Sequence, residues 1–210
     1  MKEPSPDEAP AESALIENRR RNLEEIRRLV GDVYPFRYPL TAAVSEIARA
    51  HRERPGEQLE REPVLVATAG RILARRTQGK AGFLDLSDGL ERLQAYVRRD
   101  VVGETGWEVY RALDLGDWIG VSGGLFRTRT GELTVKAQAL TFLAKCLRPL
   151  PEKWHGLKDV ERRYRQRYLD LAVNPEARSV FELRSRIVRY LRRFLDAREY
   201  LEVETPMMQA

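Results

Sequence analysis

The spacing of hydrophobic positions changes along the chain, and the change separates helical segments from strands. Over residues 13–30 apolar side chains recur at helical spacing among Arg and Glu, which predicts a charged amphipathic helix that ends at Gly31. Thr41 is expected to cap a shorter helix that runs to about Arg52. Residues 54–62 are polar and are expected to form a connection.

Beyond residue 62 the period falls to two, which is typical of half-buried strands. Five strands are expected, with a short helix at 105–113 between the third and the fourth. The strands lie at about 64–74, 83–86, 93–97, 118–127 and 132–144. Gly123 and Gly124 interrupt the fourth strand, which suits a bulge or a tight bend. Three strands, a helix and two strands is the order of an OB-fold, a five-stranded Greek-key barrel that commonly binds oligonucleotides.

A second domain is expected to begin after the barrel. Pro149 and Pro151 indicate a linker, and residues 160–171 form a basic helical stretch. Asn174 and Pro175 are typical of a helix start. The helix that follows carries an apolar stripe of five side chains: Val180, Leu183, Ile187, Leu191 and Phe194. Residues 201–205 are strand-like, so the pattern predicts the opening of an α+β domain.

These patterns divide the chain into five parts. They are a disordered acidic tail at 1–12, an N-terminal helical extension at 13–60, the barrel at 61–147, a linker and basic helix at 148–174, and an incomplete second domain at 175–210.

Alternation predicts which strand residues face outward. Leu84 and Leu86 point inward, so Phe83 lies on the outer face, and by the same rule Gln94, Glu132 and Thr134 are outward. Arg71 adds a cation from the first strand. An aromatic side chain beside an amide, a carboxylate and an arginine suits a nucleobase, because the ring stacks and the polar groups address its edge. Two alternatives remain open: Phe83 packs under the N-terminal helix, and Glu132 only flanks a turn.

Composition excludes several classes of function. A hydrophobic fraction of 42% and a charged fraction of 33% describe a globular protein, and no apolar stretch reaches the roughly 20 residues of a membrane span. The N-terminus lacks the pattern of a secretory signal, which favours a cytoplasmic protein. Cys146 is the single cysteine and is expected as core filler, since it lies in the apolar pattern of a predicted strand, and His51 and His155 lie far apart. We therefore expect no disulfide and no metal site.

Positive charge is concentrated in the second part of the chain. Residues 153–198 contain 13 Lys and Arg against 6 Asp and Glu. Such clustering indicates a polyanion partner, although a solvated helix surface laced with ion pairs would have the same composition.

Several motifs carry a resemblance to one family. The clearest is LRPLPEKWHGLKDVERRYRQRYLDLAVNP at 147–175, and the barrel adds AGRILARR at 69–76, GKAGF at 79–83 and TGELTV at 130–135. YLEVETPM at 200–207 resembles motif 1 of class II synthetases. Together these segments resemble class II lysyl-tRNA synthetases. Aspartyl and asparaginyl enzymes share the barrel and the RYLD run, but not PEKWHG.

The resemblance implies roles for particular residues. In that family the barrel reads the tRNA anticodon, whose central base is uridine for lysine. Phe83 would be the stacking platform, Gln94 and Glu132 would address the base edge, and Arg71 would lie near the anticodon backbone. Motif 1 lies at a homodimer interface in the family. Leu201, Val203 and Pro206 match it.

The resemblance also implies what this chain would leave undone. The complete enzyme would activate lysine with ATP and Mg²⁺ and charge tRNA(Lys). Motifs 2 and 3, which hold ATP, have no counterpart in the 210 residues, so no catalytic residue or bound cofactor is expected here. Glu199 stands at a position that is usually glycine, which predicts strain in that turn. The alternatives are a free-standing RNA-binding or regulatory protein and a protein-binding OB module.

Overall fold

The computed structural model describes residues 8–151, 157 and 159–206. The chain divides into two compact units, residues 1–149 and 150–210. The first unit contains α1 (Glu8–Val30), α2 (Val44–Ala50), α3 (Gly56–Arg61), β1 (Leu65–Gln78), β2 (Ala81–Ser87), β3 (Arg92–Arg98), α4 (Arg99–Ala112), β4 (Trp118–Arg127) and β5 (Leu133–Ala144). The second contains α5 (Val160–Arg165), α6 (Arg167–Val173) and α7 (Pro175–Asp196).

The five strands close into a barrel in the order β1-β2-β3-β5-β4. β3 and β5 run parallel, and the other neighbours run antiparallel. The inward side chains predicted by alternation form the core, including Leu84, Leu86, Leu93, Ala95, Val97, Val135 and Ala137. The expected OB-fold, with helices before it and a helical segment after it, is therefore confirmed.

Gly123 lies where the pairing of β4 with β5 shifts register. Ser122 is opposite Ala139, whereas Gly123 is opposite Ala137, so one residue of β5 is skipped. A Cβ atom on Gly123 would lie 1.9 Å from the carbonyl oxygen of Lys136. The predicted bulge is confirmed, and glycine is needed there because the two backbones approach so closely.

The helices before the barrel differ from the predicted ones at their ends. α1 begins at Glu8, so residues 8–12 are helical rather than part of the tail, and residues 1–7 lie outside the described part of the chain. α2 begins after Ala43, not after Thr41. The Thr41 hydroxyl instead accepts from the backbone N–H of Ala67 on β1, at 2.9 Å. The predicted connection at 54–62 contains α3.

Cys146 lies beyond the end of β5 and is half-buried, so its prediction as core filler within a strand is wrong. Its backbone N–H donates to the Asp117 carboxylate at 2.9 Å rather than to a neighbouring strand. The thiol lies 3.1 Å from the carbonyl oxygen of Arg148.

The basic stretch of the second unit is two short helices that meet at Gln166. Asp170 of α6 is fully buried, and its carboxylate accepts from Asn174 at 2.6 Å, from Arg163 of α5 at 2.8 Å and from Arg167. The Asn174 hydrogen bond, followed by that from Arg163, lowers the pKa of Asp170. Asn174 occupies the N-cap position of α7 as predicted, but its side chain holds Asp170 instead of capping the helix.

α7 carries its apolar stripe on an exposed surface of the second unit. The five predicted side chains are between 40% and 63% exposed. Residues 201–205 form no strand, because the described part of this unit is helical and offers no strand to pair with. Leu201, Val203 and Pro206 are exposed. Glu199 has a φ of 65°, which agrees with the expectation that this turn favours glycine.

Candidate nucleic-acid interface

The outer face of β2 and β3 carries a pair of aromatic rings. The strand register places Phe83 opposite Tyr96 and Asp85 opposite Gln94. The rings of Phe83 and Tyr96 are 4.8 Å apart between centroids, with a 30° tilt. Both side chains are half-buried, whereas Leu84 on the other face is fully buried. Phe83 thus faces outward as predicted, and α1 packs against α4 instead of covering it.

A third aromatic ring extends this pair along the face. Phe126 of β4 lies 6.2 Å from Tyr96 between ring centroids. We call Phe83, Tyr96 and Phe126 the aromatic row. Neither Tyr96 nor Phe126 was predicted as a platform, although alternation places Tyr96 on the same face as Gln94 and Phe126 on the face opposite the buried Leu125. The row offers more aromatic surface than the single platform expected from the sequence.

Three polar side chains lie beside the aromatic row, where β3 runs parallel to β5. Gln94 lies opposite Thr134, and Glu132 is two residues before Thr134. The Gln94 Nε2 donates to Glu132 Oε2 at 3.2 Å, and the Thr134 hydroxyl donates to Gln94 Oε1 at 3.1 Å. We call Gln94, Glu132 and Thr134 the polar cluster. The structure therefore brings together Phe83, Gln94 and Glu132, as expected.

The depth of the polar cluster differs from the prediction. Thr134 is fully buried and Gln94 is 5% exposed, so the expectation that both face solvent is wrong. Alternation assigns a residue to a face of the sheet, but neighbouring side chains decide how far that residue is covered. Glu132 is exposed, so its side chain is the part of the polar cluster that solvent reaches.

Glu132 also closes the turn before β5. Its backbone N–H donates to the Thr128 hydroxyl at 3.1 Å, and its carbonyl accepts from the Thr128 N–H at 3.0 Å. The turn-flanking interpretation is therefore correct for the backbone. It does not exclude a recognition role, because these bonds fix the backbone and leave the carboxylate to accept from the Gln94 amide beside Tyr96 on β3.

Two exposed cations accompany the aromatic row. Arg76 lies opposite Phe83 on β1, its side chain is 62% exposed, and it pairs with Asp85 at 3.2 Å. Lys136 lies opposite Tyr96 and is exposed. Both positions suit contact with a phosphate backbone.

Arg71 lies apart from the aromatic row. It is opposite Ser87, four residues along β2 from Phe83, a separation of about 13 Å. Its guanidinium donates to the carbonyl of Gly116 at 2.9 Å and lies 5.4 Å from the ring of Trp118. Arg71 therefore holds the loop between α4 and β4, a contact that strand alternation could not indicate.

The described residues contain no group of three or more His, Cys, Asp or Glu side chains that could hold a metal ion. They also contain no helix long and apolar enough to cross a membrane.

Two families match separate parts of the chain. Residues 66–143 match the family described as OB-fold nucleic acid binding domain. Residues 159–210 match the family described as tRNA synthetases class II (D, K and N). The first match contains most of the barrel with its aromatic row and polar cluster, and the second contains α5, α6 and α7. The chain thus combines a barrel similar to OB-fold nucleic acid binding domains with a segment similar to class II tRNA synthetases.

The similarity to individual relatives points to a particular enzyme within the class. Over 192 residues the chain is 48% identical to the lysine–tRNA ligases of Bacillus cereus (strain AH187), Bacillus thuringiensis (strain Al Hakam) and Bacillus anthracis. These alignments cover 91% of this chain and 38% of each relative. The resemblance to class II lysyl-tRNA synthetases is therefore confirmed, and the chain spans 38% of the length of these relatives.

Proposed function

We propose that the outer face of the barrel reads the anticodon of tRNA(Lys), as the N-terminal part of a lysine–tRNA ligase. The observation that carries the proposal is the Glu132 carboxylate, held by Gln94 beside the Phe83–Tyr96 pair. An aromatic platform with a fixed acceptor at its edge is the arrangement by which proteins recognise an unstacked base.

The chemistry of the polar cluster fits uridine. Uracil offers an N3–H donor between two carbonyl oxygens, whereas cytosine has a bare N3 acceptor and an amino group. Gln94 uses Glu132 Oε2, so Glu132 Oε1 is the oxygen that would accept the uracil N3–H. The second N–H of the Gln94 amide would donate to a uracil oxygen. A carboxylate facing the N3 of cytosine would meet a second acceptor, which disfavours that base.

The class II sequence downstream favours a ligase over a free-standing RNA-binding protein. Residues 159–210 match the synthetase family, and the relatives are named lysine–tRNA ligases. We propose that the complete protein activates lysine with ATP and Mg²⁺, acts in the cytoplasm and forms a homodimer. The exposed Leu201, Val203 and Pro206 would contribute to that interface.

Glu132→Gln should reduce discrimination between uridine and cytidine more than it reduces overall affinity. Base-edge contacts specify and phosphate contacts position, and a good pair of edge contacts contributes roughly 1–3 kcal/mol of discrimination. The measurement is the ratio of dissociation constants for two anticodon hairpins that differ only in U or C at the central position. Glu17→Gln is the matched control, since it makes the same charge change on an exposed side chain of α1. An unchanged ratio in Glu132→Gln would remove this residue from the reading site.

Phe83→Ala should weaken binding of the uridine hairpin by about 1–3 kcal/mol through lost stacking. The barrel should stay folded, because Phe83 lies outside the core. Fluorescence anisotropy gives the affinity and a thermal melt gives the stability. Phe36→Ala is the control, since Phe36 is 92% exposed and lies outside the aromatic row. Unchanged affinity with a large fall in Tm would show that Phe83 serves the fold instead.

A further inference from the structure

Thr134 is buried at the inner end of the polar cluster. Its side chain is fully buried, whereas the side chain of Glu132 is exposed. Gln94, at 5% exposure, lies between them and joins them by hydrogen bonds on both sides of its amide. The three side chains therefore form one hydrogen-bonded chain on the outer face of the barrel, from the covered Thr134 hydroxyl to the exposed carboxylate of Glu132.

The hydroxyl of Thr134 fixes what the Gln94 amide presents. The hydroxyl oxygen lies 3.1 Å from Gln94 Oε1 and 3.1 Å from the carbonyl oxygen of Glu132. The Glu132 carbonyl has a second donor, the Thr128 N–H. Among the described residues, Gln94 Oε1 accepts from the Thr134 hydroxyl. A buried amide oxygen without a donor is unfavourable, so removing the hydroxyl would favour rotation of the amide away from this position.

We infer that Thr134 is a positioning residue for base recognition, acting through Gln94 on the carboxylate of Glu132. This inference rests on the proposed anticodon-reading function. With the amide oxygen held by Thr134, the amide nitrogen points at Glu132 and its second N–H keeps the polarity that suits a uracil oxygen. Thr134 itself touches no base, because its side chain has no exposed surface.

The test uses the 210-residue chain and the same two hairpins with U or C at the central position. Thr134→Val keeps the shape of the side chain and removes the hydroxyl. It should lower the preference for U over C, measured as the ratio of the two dissociation constants, by roughly five- to tenfold, the effect of one hydrogen bond. Thr134→Ser keeps the hydroxyl and should retain the wild-type ratio. The ratio does not depend on the fraction of folded protein, because unfolding weakens binding of both RNAs equally.

A double-mutant cycle separates a positioning role from a merely structural one. If Thr134 acts through Gln94, the double variant Thr134→Val with Gln94→Ala should have the same U-to-C ratio of dissociation constants as Gln94→Ala alone. Additive effects in the double variant, or a wild-type ratio in Thr134→Val, would overturn the inference while leaving the proposed function in place. A wild-type chain that binds both hairpins equally would overturn the proposed function, and the inference with it.

Discussion

Gly123→Ala is expected to destabilise the barrel by about 3 kcal/mol or more, at the upper end of what overpacking costs. The new Cβ atom would lie 1.9 Å from the carbonyl oxygen of Lys136 and 2.8 Å from its carbonyl carbon. Both atoms belong to the backbone of β5, so no side-chain rotation relieves the overlap. The strands β4 and β5 would have to separate at the bulge, where pairing already skips a residue.

The neighbouring glycine provides the control. A Cβ atom on Gly124 would meet only a methyl group of Leu65 at 3.9 Å, an ordinary contact. Gly124→Ala should therefore change the free energy of unfolding by less than about 1 kcal/mol. Urea denaturation followed by tryptophan fluorescence measures both variants, since Trp107 and Trp118 lie in the barrel unit. Equal stabilities would show that β5 shifts freely and that the bulge has no strict need for glycine.

The barrel could be predicted from the sequence because burial on a strand follows its face. Leu84, Leu86, Ala95 and Val97 are all fully buried, as alternation requires. Local rules were less successful where a tertiary contact competed with them. Thr41 has the residue type of an N-cap, but its hydroxyl bonds to β1 because β1 lies within reach in the folded chain.

The candidate site was partly predictable for the same reason. Alternation and resemblance together placed Phe83 and Glu132 on one face, and the register brings them together. The depth of Gln94, the partner role of Thr134 and the contact of Arg71 with Gly116 were not predictable. Each depends on a neighbour from a distant segment, and a single-strand pattern contains no information about that neighbour.

Removing one partner of the buried ion pair at the end of the barrel should cost more stability than breaking an exposed pair. Lys145 and Asp117 have fully buried side chains, and Lys145 Nζ lies 2.8 Å from Asp117 Oδ2. Lys145 also contacts Asp114, whose carboxylate accepts from Asn22 of α1 at 3.0 Å. The Asp117 carboxylate accepts in addition from the N–H groups of Asp114 and Cys146. One charged network thus joins α1, the loop before β4 and the segment after β5.

Lys145→Met should destabilise the barrel unit by about 3–5 kcal/mol, because it removes the cation and leaves the buried carboxylate of Asp117 uncompensated. Arg27→Met is the control: it breaks an exposed ion pair with Glu24 on α1 and should cost no more than about 1 kcal/mol. Urea denaturation of both variants gives the comparison. A loss below 1 kcal/mol in Lys145→Met would mean that water reaches Asp117 once the lysine is gone, and that the network is not sealed in the folded protein.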